Sequence, residues 1–345
     1  MARRRSGGSG VGSVTQAVTA LVALGALVFT GLSLKVTQSQ NAAQNDLAAQ
    51  SQYTDRYTKA VDQLGQQGLE KQQIRLGGIY ALERLTRDSP RDQPTIIEVL
   101  SSFVRTAHSP ATGEGACPRP SVDVQAALSV LGRRDPGHDN RTYVDLRGAC
   151  LDHVDLTGAK LAGADLSGAH LMEANLNFAY LNGANLLGAN LGLAHLSEAN
   201  LTDANLDNAD LTGASLGLAH LSGVSLRANL TRANLRGAHA AKAVLAGANL
   251  TDGLLAGADL TDAVLSGADL TRVNLSYAKL IRAKLSFATP TMPGLTEADL
   301  RFADLTGADL TDANLSGANL TDAVHNWETR VDGTVTNSRT RGKWW

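Results

Sequence analysis

His170, His195 and His220 each stand immediately before a leucine, and 25 residues separate each from the next. His239 adds a further imidazole close behind them. Imidazole is a common zinc ligand, but a zinc site wants about four N, S or O donors converging in a tetrahedron. No Asp, Glu or Cys completes such a set. The two cysteines, Cys117 and Cys150, match no metal motif of known spacing. Two idle thiols are the plain expectation, with a disulfide as the alternative in an oxidising compartment.

A Ser or Thr follows many of the leucines between residues 144 and 323. A serine nucleophile needs a base and an acid arranged around it. No such triad stands out from the regular background. Asn-Leu-Thr and Asn-Leu-Ser recur at Asn229, Asn249 and Asn314, matching the N-glycosylation pattern. They do so because the local consensus contains those letters. No glycine-rich phosphate loop precedes a helix. The sequence therefore nominates no catalytic, cofactor-binding or metal-binding residue, and a non-enzyme is expected.

What positions these side chains is a period of five. From Val144 to Ala323 the chain reads Ala-Asp/Asn-Leu-Ser/Thr-x, as in Ala308-Asp309-Leu310-Thr311-Asp312 and Ala313-Asn314-Leu315-Ser316-Gly317. Counting a centre every five residues gives 36 repeats, 34 of them centred on Leu. Apolar residues five apart drift around an α-helix and form no stripe. In a flat strand an odd period sends successive leucines to opposite faces. A coil that turns a corner every five residues buries all of them, and stacked coils pair like parallel strands. Asp, Asn, Ser and Thr suit the turns and the solvent side.

This Ala-(Asp/Asn)-Leu-(Ser/Thr)-x run resembles the pentapeptide-repeat family and covers about half the chain. The resemblance implies a right-handed quadrilateral β-helix, with four repeats per coil. Nine coils at the parallel-strand spacing would stand roughly 43 Å tall. On such coils histidines 25 apart step around the stack, whereas His220 and His239 share one face, about 5 Å apart. Cys150 occupies a place that normally carries Asp or Asn, so it is expected to face outward.

Three departures interrupt the pattern. One residue is missing between Leu226 and Leu230, which predicts a corner defect or kink. Ala240 replaces a central Leu. Pro290 and Pro293 predict a bulge or loop, since Pro donates nothing to a ladder.

Ahead of the repeats, a basic tail (1–13, with Arg3, Arg4 and Arg5) precedes an apolar run over 14–34. Its length is enough for a bilayer-spanning helix, with a cleaved signal peptide as the alternative. Three arginines before it against Lys35 after it favour a cytoplasmic N-terminus. A polar stalk follows over 35–52. Residues 53–140 read as an α-helical module, with helices around Tyr57–Leu64, Leu69–Arg87, Asp92–Thr106 and Val122–Leu131. The stretches Arg75–Leu85 and Val124–Leu128 resemble a module that accompanies the repeats in membrane-associated relatives. That likeness implies an order of anchor, module and β-helix, and in those relatives a cytoplasmic soluble part; the side of the membrane stays open. The tail 324–345 leaves the repeat; a frayed end is expected, with Trp327 offered as a lid for the core and Trp344-Trp345 as a membrane or partner contact.

Net charge is −2, split as +3 over 1–140, −7 over 141–324 and +2 over the tail. An acidic repeat region disfavours direct nucleic-acid binding. The reading is a membrane-anchored, non-enzymatic scaffold with an unidentified protein partner and no cofactor. One alternative follows from the family: some members imitate DNA and bind type II topoisomerase. The other is a metal-dependent enzyme at His220 and His239.

Overall fold

The computed structural model describes residues 10–107, 117–286 and 294–345, with side chains described from Leu27 on, Val28 excepted. The loop expected at Pro290 and Pro293 and the start of the basic tail lie outside the described residues. The chain divides into residues 1–58 and 59–345.

The first unit is most of α1, Gly10–Leu64, one helix of 55 residues. No proline interrupts it, and its Ala, Gln and Leu content favours helix. The single-pass span expected over 14–34, and the membrane location drawn from it, are corrected here. Among the described residues no helix is long and apolar enough to cross a membrane. Within the described side chains the apolar stretch ends at Leu34, and Lys35, Gln38, Gln40 and Asn41 continue the same helix. The stalk expected over 35–52 is therefore part of α1.

In the second unit, α2 (Gln72–Asp88), α3 (Gln93–Ala107) and α4 (Val122–Arg133) pack together. Ile79, Leu82, Ile96, Ile97, Leu100 and Leu128 form their core. Gly65 ends α1 as expected, its N–H bonded to the Val61 carbonyl at 2.9 Å. At Gly78 an added Cβ would stand 2.6 Å from the Ala60 carbonyl oxygen, so only glycine lets α2 cross α1 there.

The repeats form the β-helix. Bridges join residues 20 apart, Asp145 to Asp165 to Asn185 and onward, so four five-residue sides close each coil. Each side contributes one bridged residue, too short for a regular strand. Leu and the Ala two places before it point inward, most at 0–1% exposure.

One repeat explains the consensus. In Ala164-Asp165-Leu166-Ser167-Gly168 every backbone N–H has a partner, which buried backbone requires. Ala164 donates to Leu161 O at 3.1 Å across the preceding turn, and Asp165 to Val144 O at 3.0 Å in the coil before. Leu166 donates to Asn185 O at 2.7 Å and Gly168 to Leu187 O at 2.9 Å in the coil after. The remaining donor, Ser167 N–H, goes to Asp165 Oδ1 at 3.0 Å. Asp or Asn before the Leu thus completes the turn from its side chain. The fifth position is left-handed throughout, φ 63° at Gly168 and 58° at Asp312.

The missing residue is absorbed locally. Coil five closes in 19 residues, Asp210 to Asn229, and the next returns to 20, Asn229 to Asn249. Leu226 and Leu230 stay buried. Asp207 holds the shortened corner, accepting from Ser225 Oγ and from Arg227 N, Nε and Nη2. Ala240 remains in the core at 3% exposure. From Asn274 to Asp299 the register is 25, five residues more than an ordinary coil.

Both ends are covered. At the start, α4 lies against coil one: Lys160 N–H donates to Gly132 O at 2.8 Å, where a preceding coil would offer a carbonyl. At the finish the sequence repeat stops at 323, but the coils go on. Val324, Arg330, Val335 and Arg341 bridge to Asp304, Asp309, Asn314 and Asn319, so the tail winds a further coil. Two of its sides, Val324 to Arg330 and Val335 to Arg341, are one residue longer, and the Thr329 and Thr340 hydroxyls bond Leu305 O and Leu315 O. Trp327 is 89% exposed and covers nothing; Trp344 stacks on His325 instead, ring centres 4.3 Å apart.

Candidate functional site

The residues with chemical potential are mostly tied to the architecture. His170 and His195 bridge in different columns, to Asn190 and Ser215. His220 and His239 stack at 5.1 Å with 17° between planes, close to the spacing expected. Their rings lie face to face on adjacent coils instead of converging on one point. Among the described residues no group of three or more His, Cys, Asp or Glu is placed to hold a metal. Cys117 and Cys150 form a disulfide, and Cys150 is buried at 4% exposure. The Asn229, Asn249 and Asn314 side chains accept the N–H two residues on, as turn partners.

The acidic residues are similarly engaged. Arg147 bonds Asp145 through Nε and Nη2, and Arg301 bonds Asp299 in the same way. Between coils, Arg272 pairs with Asp252 and Arg282 with Asp262. These guanidiniums hold the four carboxyls below the usual range, and Asp145 falls to about 2. The Arg227 guanidinium does the same to Asp207.

What stands out is at the corners. The fifth position has a left-handed backbone, which glycine adopts freely and bulky residues do not. Yet Phe178 (φ 60°), Leu193 (57°), Leu218 (58°), Tyr277 (60°) and Phe302 (58°) occupy it. All five are exposed, from 44% at Phe302 to 64% at Tyr277. The bridge ladder Asn175–His195–Ser215–Asn234–Leu254–Asn274–Asp299 puts four of them on one edge. Along that edge, coils two to eight carry Phe178, Glu198, Leu218, Gly237, Gly257, Tyr277 and Phe302. Tyr277 and Phe302 stack in parallel, centres 4.9 Å apart and 9° between planes. Leu193 belongs to the neighbouring corner. There it borders a depression of about 450 Å³ shared with Met172, Gly192, Asp210 and Arg232.

Sequence reasoning passed over these residues, because x in the consensus accepts any letter. The available signal was Phe, Leu or Tyr where Gly, Asp or Asn is usual.

The family model described as pentapeptide repeats matches in 8 copies, over 149–188, 189–227, 228–253, 254–286 and 295–324. Among solved structures, the chain is 36% identical to HetL, a pentapeptide repeat protein involved in heterocyst differentiation regulation from the cyanobacterium Nostoc. That match covers 56% of this chain and 86% of HetL, with a TM-score of 0.32. QnrB1, a plasmid-mediated fluoroquinolone resistance protein, is 19% identical over 51% of this chain and 84% of its own, TM-score 0.26. Rfr23 from the cyanobacterium Cyanothece is 28% identical over 42% and 64%, TM-score 0.12. No curated protein matches the chain.

Proposed function

The chain belongs to the pentapeptide-repeat family, and from that premise we propose that it is a non-enzymatic scaffold whose coil surface docks another protein. One observation carries this reading: large apolar side chains stand exposed at left-handed corners. A bulky residue there is disfavoured by backbone sterics, by about 1–2 kcal/mol. Its exposed apolar surface is a second disadvantage, since such patches mark interaction sites. Glycine would remove both at no loss to the buried Leu and Ala.

The test is a variant with Phe178→Gly, Leu193→Gly, Leu218→Gly, Tyr277→Gly and Phe302→Gly, compared with the unaltered chain in proximity labelling. The variant should fold at least as stably and lose the labelled partner. An identical set of labelled proteins from both chains sinks the proposal.

The DNA-imitating reading rests on the acidic repeats. Residues 141–226 hold three Lys or Arg against nine Asp or Glu, but 227–324 hold nine against ten. Duplex DNA carries an even charge along its length. The uneven field, and the aspartates bonded to arginine, favour the docking scaffold. Inhibition of gyrase supercoiling at micromolar protein would reverse that preference.

A further inference from the structure

We infer that the edge bearing Phe178, Leu218, Tyr277 and Phe302 pairs with the same edge of a second copy of this chain, running antiparallel. Self-association goes beyond docking of a foreign protein, and either can hold without the other.

The edge is self-complementary. A two-fold axis lying in the interface and perpendicular to the stack reverses the order of coils and keeps each column opposite itself. With that axis between coils five and six, coil four faces coil seven and coil three faces coil eight. Leu218 then meets the partner's Tyr277, twice by symmetry. Gly237 faces the partner's Gly257. Nothing lies within 4 Å of a Cβ added at Gly257, whereas one added at Gly237 would stand 2.8 Å from Leu218 Cδ2, so Leu218 lies over Gly237 and extends the apolar edge toward the axis. At the flanks, Glu198 stands beside the partner's Arg301, whose guanidinium already pairs with Asp299 of its own coil, so the contact joins Glu198 to an existing ion pair. Glu198 and Arg301 are both on the surface, the Arg301 side chain at 50% exposure.

Charge also selects this register. Shifting the axis by half a coil, onto coil five, would set Arg236 of one copy directly against the partner's Arg236. In the chosen register Arg236 faces the partner's Ala256. The adjoining column adds apolar surface at Leu254 and Ala256. Coils two to nine span about 34 Å at the strand spacing, and a five-residue side is roughly 15 Å wide. The contact is therefore on the order of 500 Å² per partner, near the lower end of specific interfaces, so a weak dimer is expected.

The experiment uses the full chain in sedimentation velocity from about 1 to 200 μM, with circular dichroism to confirm folding of each variant. The unaltered chain should pass from monomer to dimer within that range. L218E with Y277E should weaken dimerisation at least tenfold. E198R should weaken it, since an arginine then stands beside the partner's Arg301. Mixed E198C and R301C chains should cross-link with each other, while E198C alone should not, its two copies lying about 24 Å apart. A monomer at every concentration overturns the inference. So does a dimer indifferent to L218E with Y277E, or one in which E198C links to itself. If the chain stays monomeric yet still labels a foreign protein, the inference falls and the scaffold reading survives.

Discussion

The side-chain amide of Gln125 pairs with both backbone groups of Asp155: Nε2 donates to Asp155 O at 2.7 Å, and Oε1 accepts its N–H at 3.0 Å. Asp155 lies in the first coil, which has no coil before it. A glutamine side chain on α4 thus stands in for one peptide group of the absent neighbour.

Replacing it should be felt at that end. Gln125→Ala removes both bonds and should lower stability by about 1–3 kcal/mol. Gln125→Glu keeps an acceptor and loses the donor, so it should fall between. Urea unfolding checks the order; equal stability of all three chains would contradict it.

The turn bond from the residue before each Leu is equally open to test. Asp165→Ala removes the acceptor for Ser167 N–H and for Asn185 Nδ2, and should reduce stability by about 1 kcal/mol. Asp165→Asn retains an oxygen in the same place and should remain within about 0.5 kcal/mol of the original. A larger loss for Asn than for Ala would refute the turn role.

The disulfide closes a sequence separation of 33. On the chain-entropy model a loop of that size stabilises by about 3–4 kcal/mol. Reduction, or Cys150→Ser, should lower the midpoint of thermal unfolding accordingly. An unchanged midpoint after verified reduction would show the bond to be idle.

Acid should loosen the same region. The Arg147 hydrogen bond, reinforced by Arg105 against the opposing effect of burial, lowers the Asp145 carboxyl from its ordinary 3.8 to about 2. A depressed pKa contributes stability that is complete above the unfolded value and lost as pH falls through the folded one. Asp145 should therefore stabilise the fold above about pH 4 and stop doing so between about pH 4 and 2. Asp207, lowered chiefly by Arg227, acts in the same direction. Thermal midpoints of the D145N chain and the parent should differ at pH 6 and converge near pH 2; a constant gap would disprove the coupling.

The period alone announced the stack, because Leu and Ala every five residues leave few ways to bury both. The stacking of His220 on His239 followed from coil length and one missing residue. The helices were legible too: α2 and α3 begin and end within a few residues of their apolar patterns. Other features were hidden for physical reasons. The tail lacks the Ala-x-Leu pattern, so its pairing with Asp309 and Asn314 depends on a template already formed beneath it. Cys117 and Cys150 meet only once α4 has turned the chain back onto the first coils. The run before Leu34 was read on its length, which does not measure how apolar the helix is. At Phe178 and Tyr277 an individual side chain bears on function, and a consensus averages such residues away.

Every coil presents its successor with open N–H groups and carbonyls: Leu166 and Gly168 donate to Asn185 O and Leu187 O of the next coil, and Ala164 O accepts from Asn185 N–H. Such a face does not recognise whose chain comes next; any segment of matching shape can deposit on it. α4 and the final turns of the tail therefore act as chain terminators in the polymer chemist's sense. They set the degree of polymerisation of a one-dimensional crystal whose monomers are covalently linked. A molecule shorn of either terminator would carry a living end, and its natural fate is fibre growth.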